Sequence, residues 1–360
     1  MPRHRPSCRL QFGIFYNKER TPAQLRASDY LTVWLGTRSK QYGVSFNPFH
    51  HGRMLHAARA HNATAVYYAY LIAMLARHRE GIQDCDIGAK KNLCELGANF
   101  IRSHEQIILE TYESYADNTA RILGRDAPVV WLMEPDWHQY SEPTQRGGAL
   151  SQEGMASLFA SMVARIKRHL PAALISFDVS PWVSDYGNWM APFLPMVDHV
   201  HTSGGRTTGA SDRIRGQASA NLLTWAELHR VSKRGIIADT GYGVAGRLTA
   251  ESTLDAAWLD AGSLRDRISD GVIGVTFANP VAGWEQRVDR LRTTLPPARH
   301  CLGLASTSMI MAHPRRHGLG SLQHHNSSKR SSGHRASRTR GPSLTSPVLP
   351  GLRSTDVSAV

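Results

Sequence analysis

The chain has 360 residues, 41% of them hydrophobic and 8% aromatic, which is enough to bury a large core and ordinary for a globular enzyme. Its formal net charge of +13 points to a polyanionic partner only until the charges are located: residues 291–360 hold ten Lys or Arg against one acid, and removing them together with Arg3, Arg5 and Arg9 leaves 29 basic and 28 acidic residues. The excess lies in the ends, so no nucleic-acid partner is expected for the folded part, and the lack of any run approaching about 18 apolar residues excludes a membrane span.

Residues 1–28 read as an irregular N-terminal segment, without the uninterrupted apolar core of a secretion signal. Residues 31–34 and 43–47 read as short strands or strand-like loops, and a helix follows over 54–60. A β-branched and aromatic run over 63–70 passes into a helical stretch over 71–77. Between Asn92 and Leu123, apolar residues recur at three- and four-residue steps, an amphipathic helix with a break expected near Ser103. Cys85 and Cys94 are close enough in sequence to close a short disulfide loop in an oxidising compartment, or to stay free buried thiols. The cysteines lack paired zinc spacing, and neither a metal nor a cofactor is expected.

The segment from Val129 to Tyr140 is the most informative. A short apolar run, Val-Val-Trp-Leu-Met, ends abruptly at Glu134-Pro135-Asp136, because proline cannot donate to a sheet ladder. Ser151 is a good N-cap for a helix over 152–169. Strands over 174–178, 197–201, 236–239 and 272–277 then alternate with helices around 189–193, 222–231 and 254–269. This rhythm, with spacings of 30 to 40 residues, predicts an α/β fold: a (β/α)8 TIM-like barrel, regular or distorted, over residues 29–290. Residues 291–360 contain no Phe, Trp or Tyr and are expected to be a disordered basic tail or a non-native gene end.

In such a barrel the chemistry gathers where strands end. Glu134 and Asp136 end one strand, Asp178 another and Asp239 a third. Glycosidic bond cleavage needs one carboxyl that stays protonated and, in most enzymes, an ionised second one acting as nucleophile or base. Glu134, between an apolar strand and Trp131 or Trp137, is the expected acid, because desolvation disfavours its charged form. Asp136 is an auxiliary group, and Asp178 or Asp239 the opposing carboxylate. Sugar rings stack on flat aromatic faces while their hydroxyls seek polar partners. Trp137, Tyr140, Trp182, Trp189, Tyr242, Trp284, His201 and Asn279, all just beyond strand ends, are the expected substrate-binding residues. Asp185 and Asp198 read as loop or cap residues. No phosphate loop and no serine-hydrolase elbow is present.

The segments Val130 to Tyr140, Ile175 to Trp182, His199 to Gly205 and Ile237 to Gly243 resemble those of secreted cellulase-like glycoside hydrolases of microbes, over about residues 30 to 285. Glu134-Pro135-Asp136 is similar to a motif of family 6 cellobiohydrolases and endoglucanases. The resemblance implies an extracellular enzyme acting on a β-linked, cellulose-like polysaccharide. A non-catalytic glycan-binding barrel, retaining the aromatic cleft without a working acid pair, is the alternative.

Overall fold

The computed structural model describes residues 9–36, 41–85, 88–180, 183–202, 207–214, 223–240 and 256–298. Its centre is a closed barrel of eight parallel strands in sequential order: β1 (Gln11–Phe15), β2 (Tyr30–Trp34), β3 (Thr64–Ala69), β4 (Val129–Met133), β5 (Leu174–Asp178), β6 (His199–Thr202), β7 (Gly235–Asp239) and β8 (Val272–Phe277). Closure comes from β1 pairing with both β2 and β8. The outer layer includes α1 (Pro22–Ala27), α2 (Arg53–His61), α3 (Leu71–Glu80), α4 (Leu93–Leu123), α5 (Gln152–His169), α6 (Tyr186–Met190), α7 (Trp225–Ser232), α8 (Ala261–Ser269) and α9 (Trp284–Thr294). The expected (β/α)8 architecture is present. Among the described residues no helix is long and apolar enough to cross a membrane.

Alternation along each strand separates two cores. In β4, Val129, Trp131 and Met133 pack outward into the helix layer, whereas Val130 and Leu132 point into the lumen with Tyr30, Val66, Tyr68, Ile237 and Ile273. Both faces are buried, which explains the near-continuous apolar strands. Most of the helices start at side-chain caps. Ser151 Oγ accepts from Gly154 N–H at 3.0 Å, Thr21 and Gln24 form a capping box, as do Thr224 and Glu227, and Asp185 caps α6. Asp198 accepts from Ile175 N–H at 2.8 Å. The long helix α4 carries a kink at His104 (φ −129°), one residue from the expected break, where the imidazole stacks on Phe100 at 4.3 Å.

Two expectations are corrected. The barrel starts inside the segment read as irregular, since Gln11–Phe15 is its first strand. Five residues beside a basic terminus are too short a signal to stand out, and the run becomes a strand by pairing on both edges. Of the two forms left open for residues 43–47, the structure has the loop, with Gly43 at φ +56° and Ser45 N–H bonded to Tyr42 C=O. Helix α9 runs past residue 290 to Thr294, and the rest of the expected tail from 299 onward lies outside the described residues.

Cys85 and Cys94 are bonded. The bridge ties the segment after α3 to the first turn of α4, closing a loop with a sequence separation of 9. Chain-entropy arguments put its contribution at about 2–3 kcal/mol. Urea unfolding of the oxidised protein and of the Cys85→Ser, Cys94→Ser double variant is expected to differ by that amount; coincident midpoints would show that the loop is held without the bond.

Candidate active site

The C-terminal ends of the strands define one mouth of the barrel, and the acidic residues expected there are found there. Glu134 follows β4 directly, its N–H extending the ladder to Ala69 C=O at 2.9 Å. Pro135 then breaks the strand. Glu134 and Asp136 both have left-handed backbones (φ +33° and +64°), two of the four non-glycine residues so placed among those described. Such conformations cost of order 1–3 kcal/mol each and persist where surrounding structure holds a functional geometry.

The Glu134 carboxyl is fully buried. Its Oε1 accepts from the Ile72 N–H at 2.9 Å and from the Tyr112 hydroxyl at 2.6 Å. Ile72 is in the first turn of α3, whose N-cap residue, Tyr70, offers no side-chain cap. Glu134 therefore caps a neighbouring helix from the end of β4, satisfying an otherwise orphaned donor. Burial raises its pKa to about 8, against the opposing pull of Tyr112 and the backbone N–H groups of Ile72 and Leu71. At neutral pH the group is a neutral acid. The Tyr112 hydroxyl also lies 3.2 Å from Ala69 C=O, so its one hydrogen can serve either acceptor, whereas Oε2 has no hydrogen-bond partner among the described residues.

Asp136 is half-buried, and its N–H donates to Asp178 Oδ2 at 3.4 Å. Asp178, almost wholly buried, ends β5; its Oδ1 lies 3.8 Å from His201 Nε2 on the next strand, and the His201 Nδ1 meets Ser176 Oγ at 3.0 Å. Asp178, Asp136 and His201 thus form one cluster over β4, β5 and β6. Asp239 ends β7, buried, with Oδ1 3.4 Å from Thr276 Oγ1 and its N–H on Thr202 Oγ1 at 3.1 Å. It belongs to the same rim but to its β7–β8 side.

The expected aromatic residues have different fates. Trp182 and Tyr242 lie outside the described residues. Trp137, Tyr140 and Trp284 are buried to 1% exposure or less, so no face is free in this structure for a sugar to stack on. Trp137 packs against Phe159, Phe193 and Tyr140. Tyr140 lies on Gly97 of α4, where an added Cβ would stand 2.6 Å from the ring, so only glycine admits it. Trp284 meets Phe277 edge-on. Trp189 is 9% exposed and packs against His138. Asn279, just past β8, is exposed.

Sequence reasoning missed Tyr112, whose hydroxyl bonds to Glu134. Nothing in the sequence links Tyr112, midway along a helix, to Glu134. Trp34 and Tyr70 do follow the pattern of aromatic residues at strand ends that drew attention to the later loops. A separate surface groove of about 280 Å³ lies between the 42–45 turn, α3 and α4, lined by Tyr42, His78 and Glu110, and contains none of these carboxylates.

No protein-family model matches the sequence, and no curated protein matches it. Solved structures do share the fold. A GH26 β-mannanase from Bacteroides ovatus superposes with a TM-score of 0.50 at 13% identity, covering 87% of this chain and 95% of that one. A β-galactosidase from Bacillus circulans sp. alkalophilus does so with a TM-score of 0.50 at 10% identity, covering 80% of this chain and 56% of that one. Identities this low establish the barrel and nothing finer. They give the family 6 likeness no support, and it stays confined to Glu134-Pro135-Asp136.

Proposed function

We propose that the protein is a glycoside hydrolase acting on a β-linked, cellulose-like polysaccharide, with Glu134 as proton donor and Asp178 or Asp239 as the opposing nucleophile or base. The observation that carries this reading is the state of Glu134: a strand-end carboxyl at the barrel mouth, kept protonated at neutral pH by burial, with one oxygen that bonds to nothing described. In this reading Glu134 protonates the departing glycosidic oxygen while the second carboxylate attacks the anomeric carbon or activates a water. Asp136 holds Asp178 in place through its backbone N–H. His201 orients the other oxygen of Asp178. Trp189 and Asn279 contribute to the walls that meet the glycan, with Trp137, Tyr140 and Trp284 backing them. The Cys85–Cys94 bond is consistent with an extracellular location.

The full burial of Glu134 and its cap on α3 favour a second reading, a barrel that binds glycan without cleaving it. Release of reducing ends from cellulose, mannan and xylan decides between them. Hydrolysis of at least one substrate is expected; binding to the same polymers in pull-down with no release would establish the non-catalytic reading, and neither would remove glycan from the account.

A further inference from the structure

We propose that Tyr112 is the positioning residue of Glu134, its hydroxyl hydrogen turning from Ala69 C=O to Glu134 Oε1 as the carboxyl gives up its proton. As a step in catalysis this rests on the reading of Glu134 as the proton donor of a glycoside hydrolase. The first support is a count of hydrogens. A phenol has one to donate, and the Tyr112 oxygen lies 2.6 Å from Glu134 Oε1 and 3.2 Å from Ala69 C=O. Both acceptors belong to one corner of the barrel, because Ala69 C=O also receives the Glu134 N–H at 2.9 Å where β3 pairs with the end of β4.

The second support is the contrast with its neighbours on α4. Tyr112, Tyr115 and Thr119 are all fully buried. Tyr115 Oη accepts from the Gly36 N–H and donates to Val44 C=O, each at 3.0 Å. Thr119 Oγ1 donates to Tyr115 C=O at 2.7 Å and meets the Tyr67 hydroxyl at 2.7 Å. Each of those two hydroxyls has one acceptor for its hydrogen, and none of these partners titrates in the ordinary pH range. Tyr112 has two acceptors for one hydrogen, and one of them changes charge.

That charge decides where the hydrogen goes. While Glu134 is neutral, Oε1 and the Ala69 carbonyl are acceptors of similar kind. Once the proton leaves, Oε1 belongs to an anion, and a hydrogen bond to an ionised acceptor is roughly twice as strong as one between neutral groups. The hydrogen then settles on Oε1 by rotation about the phenolic C–O bond alone. The O–H bond that breaks is the carboxyl's, and its proton passes to the departing glycosidic oxygen; Tyr112 keeps its own hydrogen throughout. A donor already in place where charge develops needs no reorganisation at that moment. The Ile72 N–H fixes Oε1 at 2.9 Å, and the Tyr112 ring lies 6.1 Å from that of Trp131.

The surroundings leave this coupling undisturbed. The turn over Trp137–Ser141 brings Tyr140 within electrostatic reach of both Glu134 and Tyr112, and burial raises its pKa well above the usual value, so it stays uncharged. Asp136 and Asp84 act on Tyr140 and Tyr70. Helix α3 contributes the backbone N–H groups of Ile72 and Leu71, and Tyr112 is the strongest of the groups that oppose the effect of burial on Glu134. Burial, with the carboxyl beside it, raises the pKa of Tyr112 itself, so it remains a donor across the whole range in which Glu134 titrates.

The test is Tyr112→Phe in the full chain, which removes the hydroxyl and keeps the ring. On the preferred glycan, the midpoint at which kcat/KM falls is expected to move up from about 8 by about one to two pH units, the usual worth of a hydrogen bond to a charged group. kcat is expected to drop about tenfold at pH 7 with KM within twofold. A purely structural tyrosine would lower activity and leave the midpoint where it is. Unfolding measured in urea needs no substrate: the stability of the variant is expected to go on falling beyond pH 8, where that of the wild type levels off. A third readout needs no variant fold. In wild-type protein labelled with [ζ-13C]tyrosine, the Tyr112 signal is expected to shift with a midpoint near 8, and the same shift to be missing in Glu134→Gln. An unmoved kcat/KM midpoint, unfolding profiles that stay parallel from pH 5 to 10, or a Tyr112 signal that is flat while Glu134 titrates overturns the proposal and leaves the glycan reading intact. If the wild type cleaves no glycan while the unfolding limb and the carbon signal both shift, the glycan reading fails and the coupling of Tyr112 to Glu134 stands.

Discussion

Glu134→Gln is expected to lower the rate of glycan hydrolysis by about 10²- to 10⁴-fold, the usual contribution of a general acid, without unfolding the protein. The substitution isolates the proton because the amide oxygen can still accept from Ile72 N–H and Tyr112 Oη, keeping the cap on α3. The side chain was already neutral below pH 8, so no buried charge is lost. What disappears is the transferable carboxyl proton. The wild-type pH profile provides a second readout. A donor must be protonated to act, so kcat/KM is expected to fall as pH rises through about 8, the value to which burial pushes this carboxyl. Substrates with good leaving groups, such as nitrophenyl glycosides, need less protonation and should show a smaller deficit in the variant. Equal loss on every leaving group, or activity within threefold of wild type, would assign Glu134 to the cap alone.

Much of this arrangement was readable before any coordinates. Pro135 after five apolar residues marks where β4 ends, and the helix over 152–169 is delimited by Ser151 at one end and Pro171 at the other. Such signals are local, set by which backbone groups can bond. The placement of Asp178 beside Asp136 is not local, since it follows from the pairing of β4 with β5, but barrel order made it inferable. Exposure was the property least legible. Trp137 and Tyr140 follow a strand as a glycan-contacting loop should, yet their segment turns back as a single 3₁₀ turn onto Phe159, Phe193 and Gly97, because large apolar rings gain more from that packing than from water. Trp34 offered the same sequence signal and stays partly open. Trp137 meets rings of the helix layer and Trp34 the lumen core, a difference that no short window of sequence contains.

The same carboxyl that serves as acid should make the protein increasingly unstable as pH rises. In the unfolded chain Glu134 titrates at its ordinary value near 4.5, and in the fold at about 8. Between these values the native state holds a proton that the unfolded state has released. Stability therefore falls with each pH unit through that window, by about 1.4 kcal/mol per unit and at most about 5 kcal/mol in all, and the loss is complete above the folded pKa. Glutamine does not titrate, so Glu134→Gln removes this dependence. At pH 5 the variant is expected to be equal to the wild type or slightly less stable, its amide hydrogens replacing a single acid proton. At pH 9 it should be the more stable of the two, with a melting temperature higher by on the order of 10 °C for a barrel of this size. Urea or thermal unfolding of both proteins at pH 5, 7 and 9 measures the difference directly. The result is independent of whether any glycan is cleaved: curves that run parallel across the three pH values would mean that Glu134 is ionised in the fold, and with that the proton donor of the proposed reaction would be absent.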